Sequence, residues 1–178
     1  MNIINSFGEF NIYPLTKELA IEHMQGILEA LDLIPMVNKH TKEGILSNNK
    51  GERVFHAKWD HSLVALTLSG DFAGLVIGYE RESEGNSQYS DNSIYLSDFA
   101  ISEKYQKKGL GKFLCATWLE YNKKKGFLEL EGKLKFTVQT NKAEWNSYVQ
   151  RIYESLGFKK TAEKTYENRT DNIYSLNL

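Results

Sequence analysis

Hydrophobic positions along this chain change their period several times, and each change marks an element. From Thr16, a residue type suited to cap a helix, apolar side chains recur at Leu19, Met24, Ile27, Leu28 and Leu31, the spacing of one helical face. Pro35, Gly44 and the polar run 47–51 then predict a broken helical or loop region reaching towards Trp59. The β-rich runs "SLVALTL" (62–68) and "FAGLVIGYE" (72–80) flank Ser69, Gly70 and Asp71, which predicts a hairpin of two central strands. The polar stretch 81–92 reads as a connection, and another strand covers 93–101. Leu110, Phe113, Leu114, Trp118 and Tyr121 line one face of a long helix from Gly109 to Lys125. Residues 133–140 alternate as a strand, 143–157 read as a helix stopped by Gly157, and the tail divides at "ENRTD" into a terminal hairpin. Strands interleaved with helices, some joined as hairpins, predict an α/β (α+β) fold with a mixed sheet, in one domain spanning 1–178.

Composition narrows the function without choosing it. The chain has 178 residues, 41% of them hydrophobic and 25% charged, as expected of a globular protein. Lys+Arg 22 against Asp+Glu 23 gives a net charge of -1, so no global field favours nucleic acid or an anionic membrane. The lysine run 123–125 suits the last turn of a helix before Gly126, where positive charge meets the negative end of the dipole. Cys115 is the single cysteine, which excludes an internal disulfide and points weakly to a reducing, cytoplasmic setting. It falls among apolar helix positions and reads as core. The chain offers no basic-then-apolar leader and no apolar run near the ~20 residues of a membrane span. His23, His40, His56 and His61 have no metal-ligand spacing, so no metal is expected.

Chemistry enters at "SDFAISEKYQKKGLGK" (97–112), where a strand runs through charge into two glycines and a helix. Such a turn aims backbone N–H groups and the positive end of a helix dipole at one spot, which binds anions. Gly109 and Gly111 let a phosphate approach the main chain, and Lys107, Lys108 and Lys112 add charge. A P-loop would need Gly-x-x-x-x-Gly-Lys-Ser/Thr, which is missing. A dinucleotide turn would need a third glycine or alanine where Leu114 and Cys115 stand.

Gln106-Lys107-Lys108-Gly109-Leu110-Gly111 resembles the Gln/Arg-x-x-Gly-x-Gly/Ala signature of the GNAT acyltransferase superfamily. "IYLSDFAIS" before it resembles that family's splayed strand, and Asn146, Tyr153 and "YESLGFK" after it resemble its second signature. The resemblance runs from Ser62 to Phe158. It implies a strongly bent mixed sheet of six to seven strands, with acetyl-CoA as co-substrate wedged between splayed parallel strands 93–101 and 133–140. It further implies that Phe99, Ala100 and Ile101 offer backbone to pantetheine, that 106–112 cradle pyrophosphate with Leu110 and Lys112 opening the helix, and that Asn146 contacts the cofactor arm. Asn141 is an alternative for that contact, because the connection "TNKAEW" is long for the family.

The implied reaction moves an acetyl group to a primary amine of a small molecule or peptide by direct attack in a ternary complex. Tyr153 matches the acid that serves the leaving thiolate. Ser97 stands where relatives often carry Glu, so Asp98 becomes the first candidate base, with Glu80, Glu82 and Glu103 as alternatives. Glu80, Glu82, Glu84, Asp91 and Asp98 also suggest a cationic acceptor. The missing strand glutamate keeps a second reading open, a catalytically silent acyl-CoA sensor. A homodimer is compatible with either reading; neither needs a nucleic acid or membrane partner.

Overall fold

The computed structural model describes residues 2–35, 41–46, 58–81, 93–125 and 134–178. Strands β1 (Asn5–Phe7), β2 (Phe10–Pro14), β3 (Leu63–Thr67), β4 (Phe72–Arg81), β5 (Ser93–Ile101), β6 (Lys135–Asn141), β7 (Lys159–Tyr166) and β8 (Arg169–Asn177) form one sheet. Their order is β1-β2-β3-β4-β5-β6-β8-β7. The β5–β6 pair is parallel and every other neighbouring pair is antiparallel. Eight strands exceed the six to seven expected, because β1 and β2 turn around Gly8 (φ 56) ahead of the first predicted helix. A three-residue β1 is too short for an alternating pattern to register.

Helices cover both faces of the sheet. The first predicted helix is two, α1 (Lys17–Glu22) and α2 (Met24–Asp32), broken at His23. Thr16 caps α1 as expected, its Oγ1 accepting from Leu19 N at 3.3 Å. The break lets Leu19 and Ala20 as well as Ile27, Ala30 and Leu31 reach one core with Val64, Leu75 and Ile77. α3 (Lys42–Leu46) joins this layer through Ile45. On the other face α4 (Leu110–Lys125) and α5 (Ser147–Ser155) pack over Leu63, Val76, Leu96, Phe136 and Val138. A 3-10 turn, Glu144–Asn146, precedes α5 where one longer helix was expected. The polar run 47–51, the 81–92 connection beyond Arg81, Gly126 and Lys133, together with His40, His56, Glu82, Glu84 and Asp91, lie outside the described residues.

α4 is seated against β4 at Gly78. Trp118 is fully buried there and its indole N–H donates to the His61 carbonyl at 2.6 Å. A Cβ on Gly78 would stand 2.8 Å from the His61 carbonyl oxygen and 2.8 Å from Trp118 Cζ2, so the strand has room for glycine alone. The lysine run is tied down structurally: Lys123 pairs with Glu120 at 2.8 Å and Lys125 Nζ donates to the Asp60 carbonyl. No helix among the described residues is long and apolar enough to cross a membrane, and none of their His, Cys, Asp and Glu side chains cluster as a metal site.

Two measurements check this packing. Gly78→Ala should destabilise the fold by ~1–3 kcal/mol through overpacking, read as a lower urea midpoint. Cys115, 1% exposed, has its thiol pushed up to about 12 by burial. It should resist a water-soluble thiol reagent in the native protein and react fully once the chain is unfolded.

Candidate active site

The β5–β6 ladder consists of Ile94–Phe136, Tyr95–Thr137 and Leu96–Val138, and ends there. At that point β5 also changes register against β4: Ile77 opposes Asp98 but Gly78 opposes Leu96, leaving Ser97 as an extra residue. The bulge switches the parity of side chains. Before it Ile94 and Leu96 face α4; after it Phe99 and Ile101 do, while Ala100 joins the α2 layer. Asp98 shares the parity of Ala100 and therefore points to the α2 face.

A cavity of about 1000 Å³ opens where the two strands part. Its walls come from both faces of the sheet. Phe99, Ala100, Ile101, Gln106, Lys107, Gly109 and Gly111 line it, as do Asn146, Tyr153, Ser97 and Asp98. Lys108, Leu110 and Lys112 do not: Lys108 pairs with Glu9 at 3.0 Å, Leu110 is a core residue 1% exposed, and Lys112 is exposed. Leu110 and Lys112 can contribute only main-chain N–H groups of the first helical turn.

The turn before α4 has the backbone an anion site needs. Lys107 (φ 61) and Gly109 (φ 84) are both left-handed, a backbone in which successive N–H groups can converge on an anion. Gly111 has a different reason to be glycine, since a Cβ there would lie 3.1 Å from Phe99 Cζ. Gln106 Nε2 donates to the Ile101 carbonyl at 3.1 Å, tying the turn back to the end of β5.

Tyr153 is fixed by the end of its own helix. Gly157 (φ 91) reverses the chain, Phe158 N bonds the Tyr153 carbonyl at 3.1 Å, and the Phe158 ring meets Tyr153 edge-on at 5.8 Å. The phenol is held well above its ordinary pKa, chiefly by burial, then by electrostatic coupling to Cys115, Tyr95 and Asp98. Asn146 is buried with both amide hydrogens engaged, donating to Thr140 Oγ1 at 2.6 Å and the Asn141 carbonyl at 2.8 Å. Its Oδ1 is the atom with which it can meet a ligand. Asn141 spends its own Oδ1 on Ala143 N at 2.7 Å, closing the turn after β6.

The candidate acids separate clearly. Asp98 lines the cavity and accepts from Ser97 Oγ at 2.7 Å. Glu80 is buried on the α4 face with its Oε1 3.3 Å from His61 Nε2, and does not line the cavity. Burial lowers the His61 pKa despite Glu80 and the Asn122 hydrogen bond. Glu103 is exposed on the 3-10 turn Glu103–Tyr105, also off the cavity.

On the α2 face the wall includes residues that the sequence reading passed over. Tyr174 and Asn172 bond α5 through Gln150 and Glu154, so the alternate residue Asp171 faces the other way. Gln139 donates from Nε2 to Asp171 Oδ2 and to the Tyr166 hydroxyl, each at 2.7 Å. Arg169 lies over the Tyr166 ring at 4.8 Å. Ala30, Leu33, Ile34 and Pro35 line the cavity as well. Tyr166, Arg169 and Asp171 flank a turn that reads in sequence as an ordinary polar hairpin tip, with no local signal of a site.

Residues 51–160 match a family model described as an acetyltransferase (GNAT) domain. A search of curated proteins finds no significant match. Solved structures share the fold at low identity. A putative GnaT-family acetyltransferase from Bordetella pertussis is 14% identical with a TM-score of 0.70, over 98% of this chain and 99% of that one. The ribosomal-protein-S18-alanine N-acetyltransferase from Escherichia coli is 20% identical with a TM-score of 0.62, over 94% and 93%. Arabidopsis thaliana Naa50, in complex with the bisubstrate analogue CoA-Ac-MVNAL, is 11% identical with a TM-score of 0.62, over 95% and 99%. With the split strands, the left-handed turn before α4 and a family model covering more than half of its length, the chain belongs to the GNAT acetyltransferase family.

Proposed function

We propose that this protein is an acetyl-CoA-dependent N-acetyltransferase acting on a primary amine, with residues 1–178 as one catalytic domain. The observation that carries the reading is the cavity at the end of the β5–β6 ladder, walled by Tyr153 from the α5 face and by Asp98 from the α2 face. The residues present fit the co-substrate. The edge of β5 beyond Leu96 has lost β6 as its partner, and an extended amide-bearing arm restores main-chain pairing there. The turn 106–109 and the first N–H groups of α4 suit its pyrophosphate, with Lys107 adding charge. Asn146 Oδ1 accepts from an amide of the arm.

Acetyl-CoA supplies an activated acetyl thioester; the protein's part is protons and position. An alkylammonium, with a pKa near ~10.4, must lose a proton before it attacks. Asp98, oriented by Ser97, takes that proton directly or through water. The leaving thiolate has a parent pKa of about 8.5. Because Tyr153 is held above its ordinary pKa, it surrenders its proton reluctantly and stays an O–H donor at working pH. Its contribution is a hydrogen bond to charge developing on sulfur, the kind of donor whose loss costs about 10²–10³ in kcat.

Thiol release from acetyl-CoA against a panel of primary amines tests the reading. Tyr153→Phe should lower kcat roughly 10²-fold with acetyl-CoA affinity unchanged, and Asp98→Asn should lower kcat at least tenfold. Binding of acetyl-CoA with no release for any amine would identify an acyl-CoA sensor; absence of binding would overturn the reading altogether.

A further inference from the structure

We propose that Asp171 anchors the acceptor before its proton passes to Asp98, the Asp171 carboxylate receiving the ammonium of a singly charged primary amine whose apolar substituent packs against the end of α2. The proposal rests on the acetyltransferase reading above and adds the class of acceptor. Asp171 is 4% exposed and lines the cavity on the face that Asp98 also points to. Its two oxygens are unequal. Oδ2 takes the Gln139 amide at 2.7 Å and lies 3.3 Å from Arg169 Nη2, while Oδ1 is shielded from solvent and has no hydrogen-bond partner. A buried carboxylate oxygen left unpaired costs stability, so it needs a reason to be kept.

Arg169 is the more exposed partner of this ion pair. Its side chain is 25% exposed, its guanidinium carbon lies over the Tyr166 ring at 4.8 Å, and its Nε also has no hydrogen-bond partner. An acceptor ammonium would take Oδ1, the unpartnered oxygen, while Gln139 keeps the carboxylate in place. Arg169 on Oδ2 and the acceptor ammonium on Oδ1 would then compete for the single negative charge of Asp171.

The rest of the wall limits the acceptor. Leu33, Ile34 and Pro35 give the cavity an apolar surface at the end of α2, with Leu33 45% exposed and unspent in the core. A polyamine would need carboxylates spaced along its path. Among the described residues the acids that line the cavity are Asp98 and Asp171, and the second already shares a guanidinium. One positive charge beside one apolar group fits that inventory.

Leucinamide carries one ammonium beside an apolar side chain, and 4-methylpentanamide is its neutral analogue. Both are titrated calorimetrically into the full chain, with and without CoA. The native protein should prefer leucinamide by about tenfold or more, the scale of one charge-assisted hydrogen bond. Asp171→Asn should erase that preference and leave CoA affinity unchanged. Arg169→Gln removes the competing cation and should tighten leucinamide binding severalfold. A preference that survives Asp171→Asn, or an equal weakening by both variants, overturns the proposal, the second because it marks the ion pair as merely structural. Failure to bind CoA counts against the acetyltransferase reading alone, since the amine titration without CoA still reports on Asp171.

Discussion

The extra residue in β5 sets the geometry on which the site depends. Ser97 opposes nothing in β4, so the strand bends and changes the face of every later side chain at the position where β6 stops pairing with it. An unbulged strand would keep Asp98 on the α4 face with Leu96 and put Phe99 among the α2 layer. Gly111 would then lose the ring it is small enough to admit. The same bend opens a path through the sheet, so the cavity has one wall under α5 and another under α2. On the proposed reading co-substrate and acceptor approach from these opposite faces and meet where the ladder ends.

Position, more than unusual acidity, then accounts for the roles of the residues at that meeting point. Gly157 and Phe158 reverse the chain and hold Tyr153 at the cavity wall, where burial keeps it protonated. Asn146 is braced by Thr140 and Asn141, which leaves its carbonyl oxygen for a ligand. The polar wall from β6 and β8 is built the same way, with Gln139 locking both Asp171 and Tyr166. Rigid supports of this kind let a site bind a flexible amine without paying to order its own side chains.

What was legible in the sequence is what short segments decide. Thr16, Gly70, Gly109 and Gly157 each announce a cap or turn within a few residues, and all four do what their neighbours imply. The glycine turn and the Tyr153 to Phe158 segment identified the family because each is one contiguous device. The break at His23 was hidden because the apolar period continues through it and only the sheet below demands two helices. The bulge left a trace, the shift from Ile94 and Leu96 to Phe99 and Ile101 on the α4 face, but a single parity change is ambiguous without the partner strand. Glu80 looked available on a strand and proves to be committed to the His61 side. Asp171 was invisible, since its role depends on Gln139, Arg169 and the end of α2, which are distant or unremarkable in sequence.

The central claim is that the freed edge of β5 and the start of α4 together receive the co-substrate. Residue-resolved amide exchange, with and without acetyl-CoA, addresses it without any acceptor. The account predicts slowed exchange confined to amides between Ser97 and Ile101 and between Lys107 and Phe113, with β1 and β2 unchanged. Protection that spares both segments, or that appears instead at the far edge of the sheet, would contradict it.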